Sequence, residues 1–126
     1  MNKFTEELTF HDVSEVNLKR AVRWHSGSLA EWSPLEWAGA MAGEAGEACN
    51  AAKKLRRFDM KIHQRKGDST HDVTKRDALV AKLAEEIADT FIYLDLLAQR
   101  EGIDLIAAVR DKFNATSAAE GFPERL

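Results

Sequence analysis

The sequence predicts an all-α protein, a fold of the four-helix-bundle type that assembles with further copies of itself. Three observations predict it. Apolar residues recur at helical spacing over long stretches, and strand signals are nearly missing, with no alternating β-branched run and no Asn-Gly or Asp-Gly turn. The two prolines, Pro34 and Pro123, interrupt no periodic segment. At 126 residues the chain suits a single domain spanning 1–126. A domain of that size hides roughly two thirds of its unfolded surface, enough for one modest core.

The first helix is expected over about residues 11 to 25, with Val13, Val16, Leu18, Ala21, Val22 and Trp24 as its apolar positions and Gly27 as its end. The second starts at Ser33-Pro34-Leu35-Glu36. Ser33 caps free backbone N–H groups, Pro34 suits the first helical position, and Glu36 completes a capping box. It runs to about Leu55 through Gly39, Gly43 and Gly46, each of which costs up to about 1 kcal/mol of helix stability relative to alanine. That cost points to a face approached closely by a ligand or another backbone. Cys49, the lone cysteine, reads as small buried filler on this helix.

Residues 57 to 74 have no sustained period and read as a long connecting loop. The third helix is expected from about Lys75 to Arg100, capped by Thr74 and stopped by Gly102. Leu79, Leu83, Ile87, Leu94 and Leu97, with Val80, Ala84, Phe91 and Ala98, spread apolar surface over more than one of its faces. A small monomer cannot cover so much, so a second copy of the chain is the expected cover. The fourth helix is expected from Asp104 as cap to about Asn114, followed by a tail, AEGFPERL, that is ordered or docks.

Composition excludes several functions. The formal net charge of -3 argues against a protein that coats nucleic acid. No run approaches the roughly 20 apolar residues of a membrane span. The opening MNKFTEELTF does not read as a signal peptide, and a single cysteine suits a reducing compartment. A cytoplasmic protein is the expectation.

The informative oddity is the placement of carboxylates. Glu44 and Glu47 are three apart in MAGEAGEACN; Glu86 and Asp89 are three apart in LAEEIADTFIYL. Each pair shares a helix face, among small or apolar neighbours. Uncompensated anions in such surroundings cost several kcal/mol each. A hard divalent cation relieves that cost, and antiparallel packing of the second and third helices would converge all four acids on one or two ions. Di-iron bundles use Glu-x-x-His pairs, and no glutamate here has a histidine three residues on. Glu85 points about 100° away, to the surface or to a supporting position. Acids three apart also occur on ordinary solvated helix faces, so the pattern alone leaves both readings open.

This pattern, Glu44-x-x-Glu47, a loop, then Glu86-x-x-Asp89, resembles the metal signature of the all-α nucleoside triphosphate pyrophosphohydrolases, and the surrounding text resembles their MazG-like members. GEAGEACNAAKK, EEIADTFIYLDLLAQREGIDL and AVRDKFNATSAAEGFPERL occur in the expected order, covering about residues 33 to 126. The resemblance implies hydrolysis of an NTP or dNTP to a monophosphate and pyrophosphate. It implies one or two Mg²⁺ ions, with Mn²⁺ as a substitute, held by Glu44, Glu47, Glu86 and Asp89, and Glu47 as a candidate general base. Lys112 and Asn114, in KFN, match family positions that reach the substrate; a solvated helix end is their other reading. Lys54, among the cations closing the second helix, can attract polyphosphate or simply suit the helix dipole. Trp37 and Trp32 can stack on a base or pack in the core. The expected partners are a nucleoside triphosphate and further copies of the chain, as a homodimer or dimer of dimers. A narrow substrate (dCTP, dUTP or phosphoribosyl-ATP) and a non-catalytic helical oligomer that binds nucleotides or proteins are the alternatives.

Overall fold

A computed structural model of the chain describes residues 7–61 and 73–126. The described residues form four α-helices and a short 3₁₀ turn, with no strand among them: α1 (Phe10–Trp24), the turn Leu29–Glu31, α2 (Pro34–Asp59), α3 (Val73–Arg100) and α4 (Leu105–Glu120). The all-α expectation holds. None of these helices is long and apolar enough to cross a membrane.

Caps and stops explain the boundaries. Thr9 and Asp12 form a reciprocal capping box at the head of α1, a T-x-x-D signal that was legible in the sequence. Gly27, with φ of 91°, turns the chain out of α1, and its N–H reaches the Val22 carbonyl at 2.8 Å. Asp104 caps α4 by accepting from the Ala107 N–H at 3.0 Å. Two helices outrun their expected ends. α2 continues four residues past Leu55, and α4 six past Asn114, to a left-handed Gly121 cap. The second extension follows from composition, because ATSAAE contains no breaker before glycine. The expected loop shrinks at both ends, and positions 62 to 72 lie outside the described residues.

The chain divides into two compact units, one of residues 1–34 with 95–126, the other of residues 35–94. In the first, Ala21 and Leu29 are buried along with Leu96, Ala98 and Ser117. Its polar centre is Asp95, 1% exposed, which accepts from Ser14 Oγ at 2.8 Å, Asn17 Nδ2 at 2.9 Å and Gln99 Nε2 at 2.9 Å. These bonds tie α1 to the last turns of α3 and satisfy a charge that would otherwise be expensive to bury.

The second unit is a helical hairpin. Asp59 pairs with Arg76, Glu44 groups with Glu86 and Asp89, and Trp37 lies 6.3 Å from Tyr93, centroid to centroid. Partners thus fall in sequence along α2 as they rise along α3, so the two helices run antiparallel. Trp37 and Ala51 are its buried apolar residues. Among the described residues the glycine face of α2 is bare: a Cβ added at Gly39, Gly43 or Gly46 would meet none of their atoms within 4 Å. Cys49 lies on that open side and is exposed, not the buried filler expected of it.

Candidate functional site

The antiparallel hairpin brings three of the four expected carboxylates together. One oxygen each from Glu44, Glu86 and Asp89 lies within 4.8 Å of the other two. The three residues differ in exposure: Glu86 is buried, Glu44 partly buried and Asp89 exposed. Carboxylates so close repel one another. Burial, then Asp89, Glu86 and Glu47 in that order, pushes the Glu44 carboxyl above its ordinary value of 4.5, aided by a hydrogen bond to Glu86.

Glu47 stands beside this group rather than in it. With Glu86, Asn50, Ala51, Lys54, Leu79 and Lys82 it lines a recess of about 40 Å³ between the helices. That volume admits water, which needs about 10–15 Å³ by this measure. Lys82 is a residue the sequence reading missed. Its Nζ lies 2.8 Å from Glu86 Oε1 and 3.3 Å from Glu85 Oε2. Those two carboxylates, Glu86 foremost, raise its pKa above the ordinary 10.5. The available signal was its position four residues before Glu86, the spacing that stacks side chains along a helix. Glu85 resolves to the surface, its side chain 68% exposed.

The donor set fits a hard cation. Three carboxylates from two helices offer all-oxygen ligation, and water or substrate can supply the remaining positions. Oxygens that share one Mg²⁺ stand at most about 4.2 Å apart, twice the usual Mg–O distance. Oxygens on adjacent octahedral positions stand closer, about 3.0 Å apart, so side-chain rotation would have to draw the 4.8 Å set inward around an ion.

The remaining candidates divide. Lys54 lines the recess beside Glu47. Trp37 is 0% exposed, so its ring is a core element and offers no face to a base, in keeping with its packing alternative. In the first unit, Trp32 is partly buried, sets its ring edge-on to His25 at 4.6 Å, and accepts from Arg100 Nε at its carbonyl. Lys112 is exposed. Asn114 is engaged by the tail: its Oδ1 accepts from the Leu126 N–H at 2.8 Å and its Nδ2 donates to the Leu126 carbonyl at 3.3 Å. A roomier cavity in the same unit, about 540 Å³, is lined by Ser14, Asp95, Gln99, Ile106 and Arg110 among others, and by none of the expected site residues.

Comparison with protein-family models, curated proteins and solved structures yields no match to this chain.

Proposed function

We propose that this protein is a Mg²⁺-dependent nucleoside triphosphate pyrophosphohydrolase of the MazG-like type, cleaving an NTP or dNTP to a monophosphate and pyrophosphate. The observation that carries the reading is the convergence of Glu44, Glu86 and Asp89 from two antiparallel helices. The sequence resemblance around the same acids supports it.

Glu44, Glu86 and Asp89 would hold the ion, and Glu47 would reach it from the adjoining recess. When bound, Mg²⁺ neutralises phosphate oxygens and makes a nearby water more acidic. The chain's own part in the chemistry is positional and proton-accepting. Glu47 is exposed and outside the tight group, so its carboxylate is available to take the proton of the attacking water. The water oxygen bonds to the α-phosphorus, the α–β bridging bond breaks, and pyrophosphate leaves with that electron pair. Lys54 attracts the phosphate chain as a point charge. The sequence resemblance also gives Lys112 and Asn114, which belong to the other unit, a role in contacting substrate. The active form is a homodimer or dimer of dimers, in a reducing cytoplasm, and its work is on the nucleotide pool.

The test is release of pyrophosphate and monophosphate from a panel of ribo- and deoxyribonucleoside triphosphates, with Mg²⁺ or with chelator. Chelator-sensitive pyrophosphate release that vanishes in Glu86→Ala and Asp89→Ala supports the assignment. Silence of the folded protein across the panel transfers it to a non-catalytic helical oligomer.

A further inference from the structure

The ion pair between Lys82 and Glu86 joins unequal partners. Glu86 belongs to the carboxylate group and its side chain is 9% exposed; the Lys82 side chain is 60% exposed. The carboxylate is enclosed by its neighbours, whereas the lysine has a flexible stem and stands largely in solvent. Lys82 also lines the recess it shares with Glu47, Asn50, Lys54 and Glu86, so two ammonium-bearing side chains border one small cavity beside the acids.

We propose that Lys82 is an exchangeable counter-cation: it occupies the cluster through Glu86 until a divalent ion arrives, then turns to the phosphate chain of the substrate. This rests on the pyrophosphohydrolase reading of the same acids. A divalent ion and the ammonium would compete for one carboxylate, because Lys82 Nζ stands 2.8 Å from Oε1 of Glu86, a member of the acidic group. A divalent ion held there would bring twice the charge to that carboxylate, and the like charges would drive the ammonium outward. Lys82 retains a second, weaker hold at Glu85 Oε2, 3.3 Å away, which keeps it at the rim. There it joins Lys54 as a wall of positive charge. The recess has room for water-sized groups, so a phosphate oxygen is a suitable guest and a nucleobase is not. Lys82 is in this sense a positioning residue for the phosphate chain, and it makes metal and anion binding cooperative without any movement of backbone.

The experiment uses the full chain and two probes, Mg²⁺ alone and inorganic pyrophosphate at saturating Mg²⁺, both by calorimetry. Removing the competitor in Lys82→Met should tighten Mg²⁺ binding several-fold. The same change should weaken pyrophosphate binding about tenfold, the scale of one charge-assisted contact. Lys82→Arg, which keeps the charge, should retain pyrophosphate binding, and Lys82→Gln should repeat the methionine result with a polar side chain. Unchanged or weaker Mg²⁺ binding in both neutral variants overturns the exchange, as does unchanged pyrophosphate binding. A wild-type chain that binds no Mg²⁺ at all overturns the metal-dependent reading itself, a result separate from either of these.

Discussion

Glu86 and Asp95 lie on one helix, both buried, and the chain treats their charges differently. Asp95 is surrounded by donors from Ser14, Asn17 and Gln99. Removing its carboxylate takes away the acceptor these three donors share in a buried site. Asp95→Ala should therefore cost about 3 kcal/mol, read from urea unfolding. A loss under about 1 kcal/mol would show that water replaces the carboxylate. Glu86 instead faces Glu44 and Asp89, with Lys82 at its flank. Relieving that repulsion should raise the melting temperature of the metal-free protein, so Glu44→Gln is expected to be more stable than wild type in chelator. The same variant should lose the stabilisation Mg²⁺ confers, about 2.7 kcal/mol when the ion is a hundredfold above its dissociation constant. Parallel melts with and without Mg²⁺ check both halves. A variant destabilised in chelator would place the acids in a mutually satisfied network.

At the scale of elements, the α2–α3 hairpin is pinned at its far end by Arg76, whose Nε and Nη2 reach the two oxygens of Asp59 at 2.9 and 3.2 Å. The Arg76 guanidinium holds the Asp59 carboxyl below its ordinary 3.8. A depressed carboxyl contributes stability that is present above the ordinary value and lost as pH falls through the folded one. The stability gap between wild type and Arg76→Ala should thus be present at neutral pH, shrink on acidification below 3.8, and narrow with added salt. Both side chains are more than 40% exposed, so the gap is small. Urea unfolding of the pair across pH 2 to 7 measures it, taking in about two units below the ordinary carboxyl range. A gap independent of pH would assign the effect of Arg76 to packing of its stem.

At the scale of the whole molecule, apolar surface is left over. Val80, Ile87 and Phe91 are 39%, 56% and 38% exposed and share one side of α3. On α4, Ile106, Val109 and Phe113 form a second exposed row. Contiguous apolar rows of this kind mark association sites, and the proposed homo-oligomer supplies a cover for them. Ile87→Glu should shift the assembly toward monomer, checked by light scattering on a sizing column. An unchanged mass would remove this face of α3 from the interface. The face at Gly39, Gly43 and Gly46 is left open by the described residues.

Sequence alone determined whatever depends on neighbours within a few residues. The four helices, the Asp104 cap, the Gly102 stop, and the sharing of a face by each acidic pair all follow from spacing and local chemistry. Even the missed signals, the Thr9 box and the Lys82–Glu86 spacing, are local ones. The tertiary structure decided which faces meet. It grouped Glu44 with Glu86 and Asp89 while leaving Glu47 beside them. It enclosed Trp37, exposed Cys49, and set Asn114 against Leu126. Periodicity fixes a residue's angle around its own helix, but the rotation and register of one helix on another come from packing many side chains at once. A short repeat cannot encode that sum, so the candidate acids were legible as pairs and became a cluster through the hairpin.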